Sequence, residues 1–113
     1  MCIRDRHYIE DMLTAATRIG AYTTGMSLAD FEASALTIDA TLHNFVVMGE
    51  AAARVPQPIR DRAVDVPWGR IRGMRNVLVH GYAKVNLAIV WETIVDDLPG
   101  LQIALQAILD REP

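Results

Sequence analysis

Apolar residues recur every third and fourth position in segment after segment of this chain, and no run alternates with period two for long enough to make a strand. That spacing predicts amphipathic helices and little else. From Arg4 to about Tyr22, Ile9, Leu13, Ala16 and Ile19 fall on one helical face, and Gly20 and Gly25 with the threonines between them end the segment. Ser27 followed by Asp30 reads as a capped start with an acidic first turn, opening one long helix through Phe31, Leu42, Phe45, Val46 and Ala53. Pro56 and Pro58 stop it, and Ile59 to Val64 makes at best a short helical piece.

Pro67 suits the first turn of a third helix, whose core stripe is Ile71, Met74 and Leu78, with Gly81 as the stop just beyond His80. Asn86 can cap a fourth helix with Leu87, Val90, Trp91, Ile94 and Val95 facing inward, and Pro99 can start a last one carrying Leu101, Ile103, Leu105 and Ile108. The expectation is an all-α bundle of four main helices plus one short helix, forming a single domain over residues 1–113.

Composition bounds the function classes. Apolar residues make up 51% of 113, generous for a small domain that must cover itself with polar groups, so part of that surface is expected to face a second subunit. No apolar run approaches the roughly 20 residues needed to cross a bilayer, and no signal peptide precedes the first charged turn, so no membrane partner and a cytoplasmic location are expected. The single cysteine, Cys2, excludes an internal disulfide and a cysteine-based zinc site, and its terminal position makes it a poor nucleophile.

The net charge of −3 rules out a generally basic surface, yet the charge is unevenly spread. Arg54, Arg60, Arg62, Arg70, Arg72 and Arg75 face only Asp61 and Asp65 in the same window, so that stretch carries +4 and the remainder −7. A local basic zone on an acidic body can hold phosphates at one place and repel them elsewhere, which makes Arg70 and Arg72 candidate RNA contacts. Ordinary arginines on a solvated helix face are the competing explanation.

The densest polar constellation is Met74-Arg75-Asn76-Val77-Leu78-Val79-His80-Gly81-Tyr82, at a helix end. Asn76 and His80 stack on one face, while Arg75 and His80 stand about 140° apart in an ideal helix, an angle a long arginine can cover if the last turn loosens toward Gly81. A histidine that moves protons at a ribose 2′-OH or a leaving oxygen, beside a guanidinium that holds charge on the phosphate, is a plausible metal-free ribonuclease pair. Spacing alone favours a helix-capping histidine beside a surface arginine. Metal chemistry is less well supported: His7 and His43 lack ligand-spaced partners, and Asp96-Asp97 is a single acidic pair. Gly69 and Gly73 lie in a helical pattern without the Lys-Ser/Thr sequel of a phosphate loop, and Trp68 and Trp91 read as packing residues before base platforms. No cofactor is called for.

The run from about Ile38 to Leu101 resembles the HepT-like branch of the HEPN superfamily. The resemblance rests on Asn44-Phe45-Val46-Val47-Met48-Gly49-Glu50-Ala51-Ala52, on Val66-Pro67-Trp68, on Ile71-Arg72-Gly73-Met74-Arg75-Asn76, on Leu78-Val79-His80-Gly81-Tyr82 and on Ile89-Val90-Trp91-Glu92, in the order such proteins have them, with Tyr8-Ile9-Glu10-Asp11-Met12-Leu13 as a similar start. The core Arg-(four residues)-His-X-Tyr is short by itself and specific inside this longer framework. Where relatives often have an arginine before the asparagine of the second-helix motif, this chain has His43, so no role is assigned to that position.

The resemblance implies a HEPN-like helical homodimer whose Arg75 and His80 from both subunits line a shared cleft. It further implies a metal-independent endoribonuclease toxin of a type II or type VII toxin–antitoxin system, with Asn76 orienting the pair or the RNA. Its companion would be a minimal nucleotidyltransferase antitoxin that adenylylates Tyr82, whose hydroxyl is expected at the cleft rim. The alternative class is a non-catalytic helical adaptor, or a nucleotide-binding partner of such a transferase, with Tyr82 merely packing on the fourth helix.

Overall fold

The computed structural model describes residues 1–111, which form seven α-helices and a 3-10 turn and no strand. They are α1 (Ile3–Thr23), α2 (Leu28–Glu32), α3 (Ala35–Arg54), α4 (Gln57–Arg62), α5 (Trp68–Gly81), the 3-10 turn Tyr82–Lys84, α6 (Leu87–Asp96) and α7 (Leu98–Arg111). The all-α bundle expected from the periodicity is what the chain forms, with more helices than the four main and one short anticipated. The proposed long second helix is two. Ser27 starts α2 through a reciprocal capping box, its Oγ accepting from the Asp30 N–H at 3.1 Å while its own N–H donates to Asp30 Oδ2 at 3.0 Å. Hydrogen bonding from the Ser27 backbone N–H, and to a lesser extent from its hydroxyl, holds the Asp30 carboxyl below its ordinary value. Ser34 then caps α3, its Oγ accepting from the Thr37 N–H at 3.2 Å. The break lets Phe31 turn fully inward, where it meets Trp91 with ring centroids 5.4 Å apart.

α3 is the central element, packed against both α1 and α5, and α7 closes the far side of α1 and meets α6. On α1 the fully buried positions are Ile9, Met12, Ala15, Ala16 and Ile19, so Met12 and not Leu13 is central to the stripe, because the stripe faces both α3 and α7. Burial of each large aliphatic side chain of this kind stabilises the fold by roughly 1.5–3 kcal/mol. On α6, Val90 and Ile94 are buried and Leu87 and Trp91 partly so, but Val95 is 55% exposed, contrary to the inward face expected of it. Cys2 caps α1, with Sγ accepting from the Asp5 N–H at 3.4 Å.

α5 starts directly after Pro67 and runs without interruption through His80 to Gly81. It ends there by tightening into the 3-10 turn, with Gly81 at φ −150°, rather than through a left-handed glycine. Asn86 caps α6 as expected, its Oδ1 accepting from the N–H groups of Ala88 and Ile89 at 2.9 and 3.3 Å.

Candidate active site

Arg75 lies on the side of α5 that meets α3. A Cβ added at Gly49 would stand 2.6 Å from Arg75 Cγ and closer still to Arg75 Cβ, so the arginine stem occupies the space a side chain at Gly49 would fill. Glycine is therefore required in the middle of α3 for steric reasons, against its poor helix propensity. The packed stem places the Arg75 guanidinium beside Glu50, with Nε 3.9 Å from Oε1. That is an ion pair too long to be a hydrogen bond, and Nε is buried with no hydrogen-bond partner. Arg75 is 25% exposed and Glu50 52%, so the pair orients the guanidinium more than it stabilises the fold. Neither Gly49 nor Glu50 was given a role from sequence. The available signal was a glycine inside a long helical pattern with an acid beside it.

Asn76 and His80 are both exposed on the outward side of α5, one turn apart, and neither side chain forms a hydrogen bond or ion pair with another described residue. Because α5 stays regular, the last turn does not loosen, and no contact joins Arg75 to His80 within one chain. One faces α3 and the other faces solvent. His80 is in the last turn of α5. His43 is exposed on α3, and its neighbour Asn44 is buried with Nδ2 donating to the Ala40 carbonyl at 2.9 Å, a bond internal to α3.

The two arginines marked as RNA contacts part company. Arg70 Nη1 donates to Asp97 Oδ2 at 3.3 Å, tying α5 to the junction of α6 and α7. Arg72, two residues on and so about 160° round the helix, is exposed and lines an open cleft with Arg60 and Trp68. Tyr82 is 43% exposed on the 3-10 turn, and its hydroxyl donates to the Asp39 carbonyl on α3 at 3.5 Å, a long bond. Burial raises its phenol above the ordinary value, and the Asp39 carboxylate adds to the effect. Among the described residues, no three His, Cys, Asp or Glu side chains converge on one point.

The profile of the family described as Ribonuclease HepT-like matches residues 12–108, from the middle of α1 into the end of α7, with Arg75, His80 and Tyr82 inside it. The chain belongs to the HepT-like ribonuclease family. It is 34% identical over 107 residues to a protein provisionally named as an RNase in Caldanaerobacter subterraneus subsp. tengcongensis, covering 95% of this chain and 96% of the relative. It is 28% identical over 97 residues to a protein named as a probable ribonuclease HepT in Thermococcus cleftensis, covering 86% of this chain and 88% of that one. A further relative in Methanocaldococcus jannaschii, also provisionally named as an RNase, shares 28% over 102 residues, 90% of this chain and 88% of the relative. No solved structure matches the chain significantly. As a HepT-like protein it carries the expected HEPN-like all-α fold, and none of the helices described is long and apolar enough to cross a membrane.

Proposed function

We propose that this HepT-like chain is a metal-independent endoribonuclease, acting as the toxin of a toxin–antitoxin pair. The observation that carries the reading is an arginine packed rigidly against Gly49, its buried Nε without a hydrogen-bond partner, on the same helix as an exposed histidine and asparagine that engage nothing else. The relatives' names as ribonucleases support the same class. Arg75 holds the charge that builds on the phosphate oxygens, and its fixed stem means it does so with little reorganisation. His80 takes the proton from the ribose 2′-OH or returns one to the departing 5′-oxygen, and Asn76 orients it or the RNA backbone. Attack of the 2′-oxygen on phosphorus breaks the bond to the 5′-oxygen, leaving a 2′,3′-cyclic phosphate and a 5′-hydroxyl.

Arg75 and His80 diverge around α5, so a homodimer completes the site, each copy bringing its pair to a shared cleft. Half-exposed Val77 and Val79 beside the polar stripe of α5 give such an interface apolar area. Control comes from a minimal nucleotidyltransferase antitoxin: the Tyr82 oxygen attacks the α-phosphorus of ATP, pyrophosphate leaves, and the new phosphate and base block the neighbouring site. The test is purified protein with total RNA, beside Arg75→Ala and His80→Ala. The parent cuts, in excess chelator as well, and each variant loses roughly 10²- to 10⁴-fold. Uncut RNA, or equal cutting by the variants, refutes the reading and leaves the adaptor class.

A further inference from the structure

An open cleft of about 440 Å³ lies between α4 and the beginning of α5, away from Arg75 and Glu50. Its charged lining is Arg60, Arg72 and Asp61. Asp61 does not neutralise the arginines by contact, because its Oδ1 accepts from Gln57 Nε2 at 2.7 Å and it pairs with no cation among the described residues. Arg72 is exposed without an ion pair among the described residues, and Arg60 is half-buried with its Nε shut off from solvent and left without an acceptor. Because Nε is shut off from solvent, an anion in the open cleft would meet the terminal guanidinium nitrogens of Arg60 rather than Nε. Two guanidinium groups converging on one cleft of an acidic protein select phosphate.

The rest of the lining suits a base. Trp68 is half-buried, and its Nε1–H donates to the Ala63 carbonyl at 3.1 Å, which pins the indole in place at the cleft. Val64, 83% exposed on the link before α5, adds an apolar neighbour. Gly69 would meet no atom within 4 Å if it carried a Cβ, so the backbone there is open.

The cleft also stands in register with the proposed catalytic groups. Arg72, Asn76 and His80 follow one another at intervals of four residues, all exposed, so the cleft lies about 12 Å from His80 along one side of α5. That span is too long for the scissile phosphate and within reach of another phosphate of the same strand.

We propose that this cleft is a second RNA subsite, in which Arg60 and Arg72 hold a phosphate flanking the scissile one and Trp68 stacks on the adjoining base of the single strand. The proposal rests on the ribonuclease reading above and deepens it, because it states that the substrate is an extended single-stranded RNA gripped upstream or downstream of the cut. The intact protein is titrated with an uncleavable 2′-O-methyl 12-mer, read by fluorescence anisotropy and by quenching of tryptophan emission. Arg60→Ala and Arg72→Ala each weaken binding about tenfold, and the slope of log affinity against log salt flattens by about 0.7 when both are removed, as for one lost single-strand phosphate contact. Quenching is lost in Trp68→Phe. Should Arg60→Ala fail to fold by circular dichroism, exposed Arg72→Ala still decides the matter. Unchanged affinity and salt slope in Arg72→Ala overturn the subsite, as does equally strong binding and quenching by adenosine monophosphate, which would mark a mononucleotide pocket instead. Arginine-dependent binding by a protein that cuts no RNA sinks the ribonuclease reading and keeps the subsite. His80-dependent cutting with binding indifferent to both arginines does the reverse, and no binding at all refutes the subsite.

Discussion

Gly49→Ala adds one methyl at the point where α5 comes closest to α3. An ordinary Cβ contact is 3.4–4 Å, and the new methyl would stand 2.6 Å from Arg75 Cγ with the Arg75 Cβ nearer. A change of χ1 can swing Cγ away, but Cβ is fixed by the backbone of α5, so the two helices must part by roughly 1 Å. A gap of that size forfeits a quarter to a half of each dispersion well across the interface, and overpacking in a formed core costs about 1–3 kcal/mol or more. The better helix propensity of alanine returns about 1 kcal/mol. With the backbone clash at the upper end of that range, the net loss is about 2 kcal/mol, a large share of the 5–15 kcal/mol of a typical small domain. In a urea titration followed at 222 nm, the midpoint should fall by about 1 M for a slope near 2 kcal/mol/M. RNA cleavage should fall with it even at temperatures where the variant is folded, because Arg75 is carried off its position. Gly20→Ala in α1, where the nearest atom is Gln102 Nε2 at 3.9 Å, is the control and should be neutral or stabilising by up to about 1 kcal/mol. A Gly49→Ala protein as stable and as active as the parent would refute the reasoning.

The proposed homodimer should give twice the chain mass by light scattering at micromolar concentration, and an aspartate at Val79 on the exposed side of α5 should shift it to monomer; a monomeric parent counts against the shared cleft. Co-expression with the cognate nucleotidyltransferase should yield chains heavier by one or more adenylyl groups and silent toward RNA, whereas Tyr82→Phe should stay unmodified and active; modification of that variant to the same extent rules Tyr82 out as the switch. Because the Tyr82 phenol is raised in the folded chain, the unfolded chain loses that proton first, so Tyr82 contributes no pH dependence below about pH 10 and a loss of stability above it. Urea midpoints at pH 9 and pH 11 should therefore fall less in Tyr82→Phe than in the parent, and an equal fall in both contradicts the assignment.

How much was legible varied with the range of the interaction. The helical class, the caps at Ser27 and Asn86 and the start of α5 after Pro67 were readable because each depends on residues within one or two turns. The break before α3 was missed although Ser34 and Thr37 mark it, since the apolar spacing carries on across a single short turn and disguises the second start. The polar run from Arg75 to Tyr82 was visible as a motif. Its placement was not: regular helix geometry sets Arg75 toward α3 and His80 toward solvent, and only the position of α3 determines which of them is held.

The local sequence, then, determined that this chain is a set of amphipathic helices bearing an arginine, a histidine and a tyrosine near one helix end. Tertiary structure decided that Gly49 must be a glycine, that Glu50 stands by Arg75, that Arg70 is tied to Asp97 while Arg72 shares a cleft with Arg60, and that Met12 is central and Val95 is not. The physical reason is one of distance along the chain. Periodicity and capping are satisfied within a few residues, whereas a close approach, an ion pair or a buried donor between separate helices depends on how those helices cross, and that is settled only by packing the whole bundle at once.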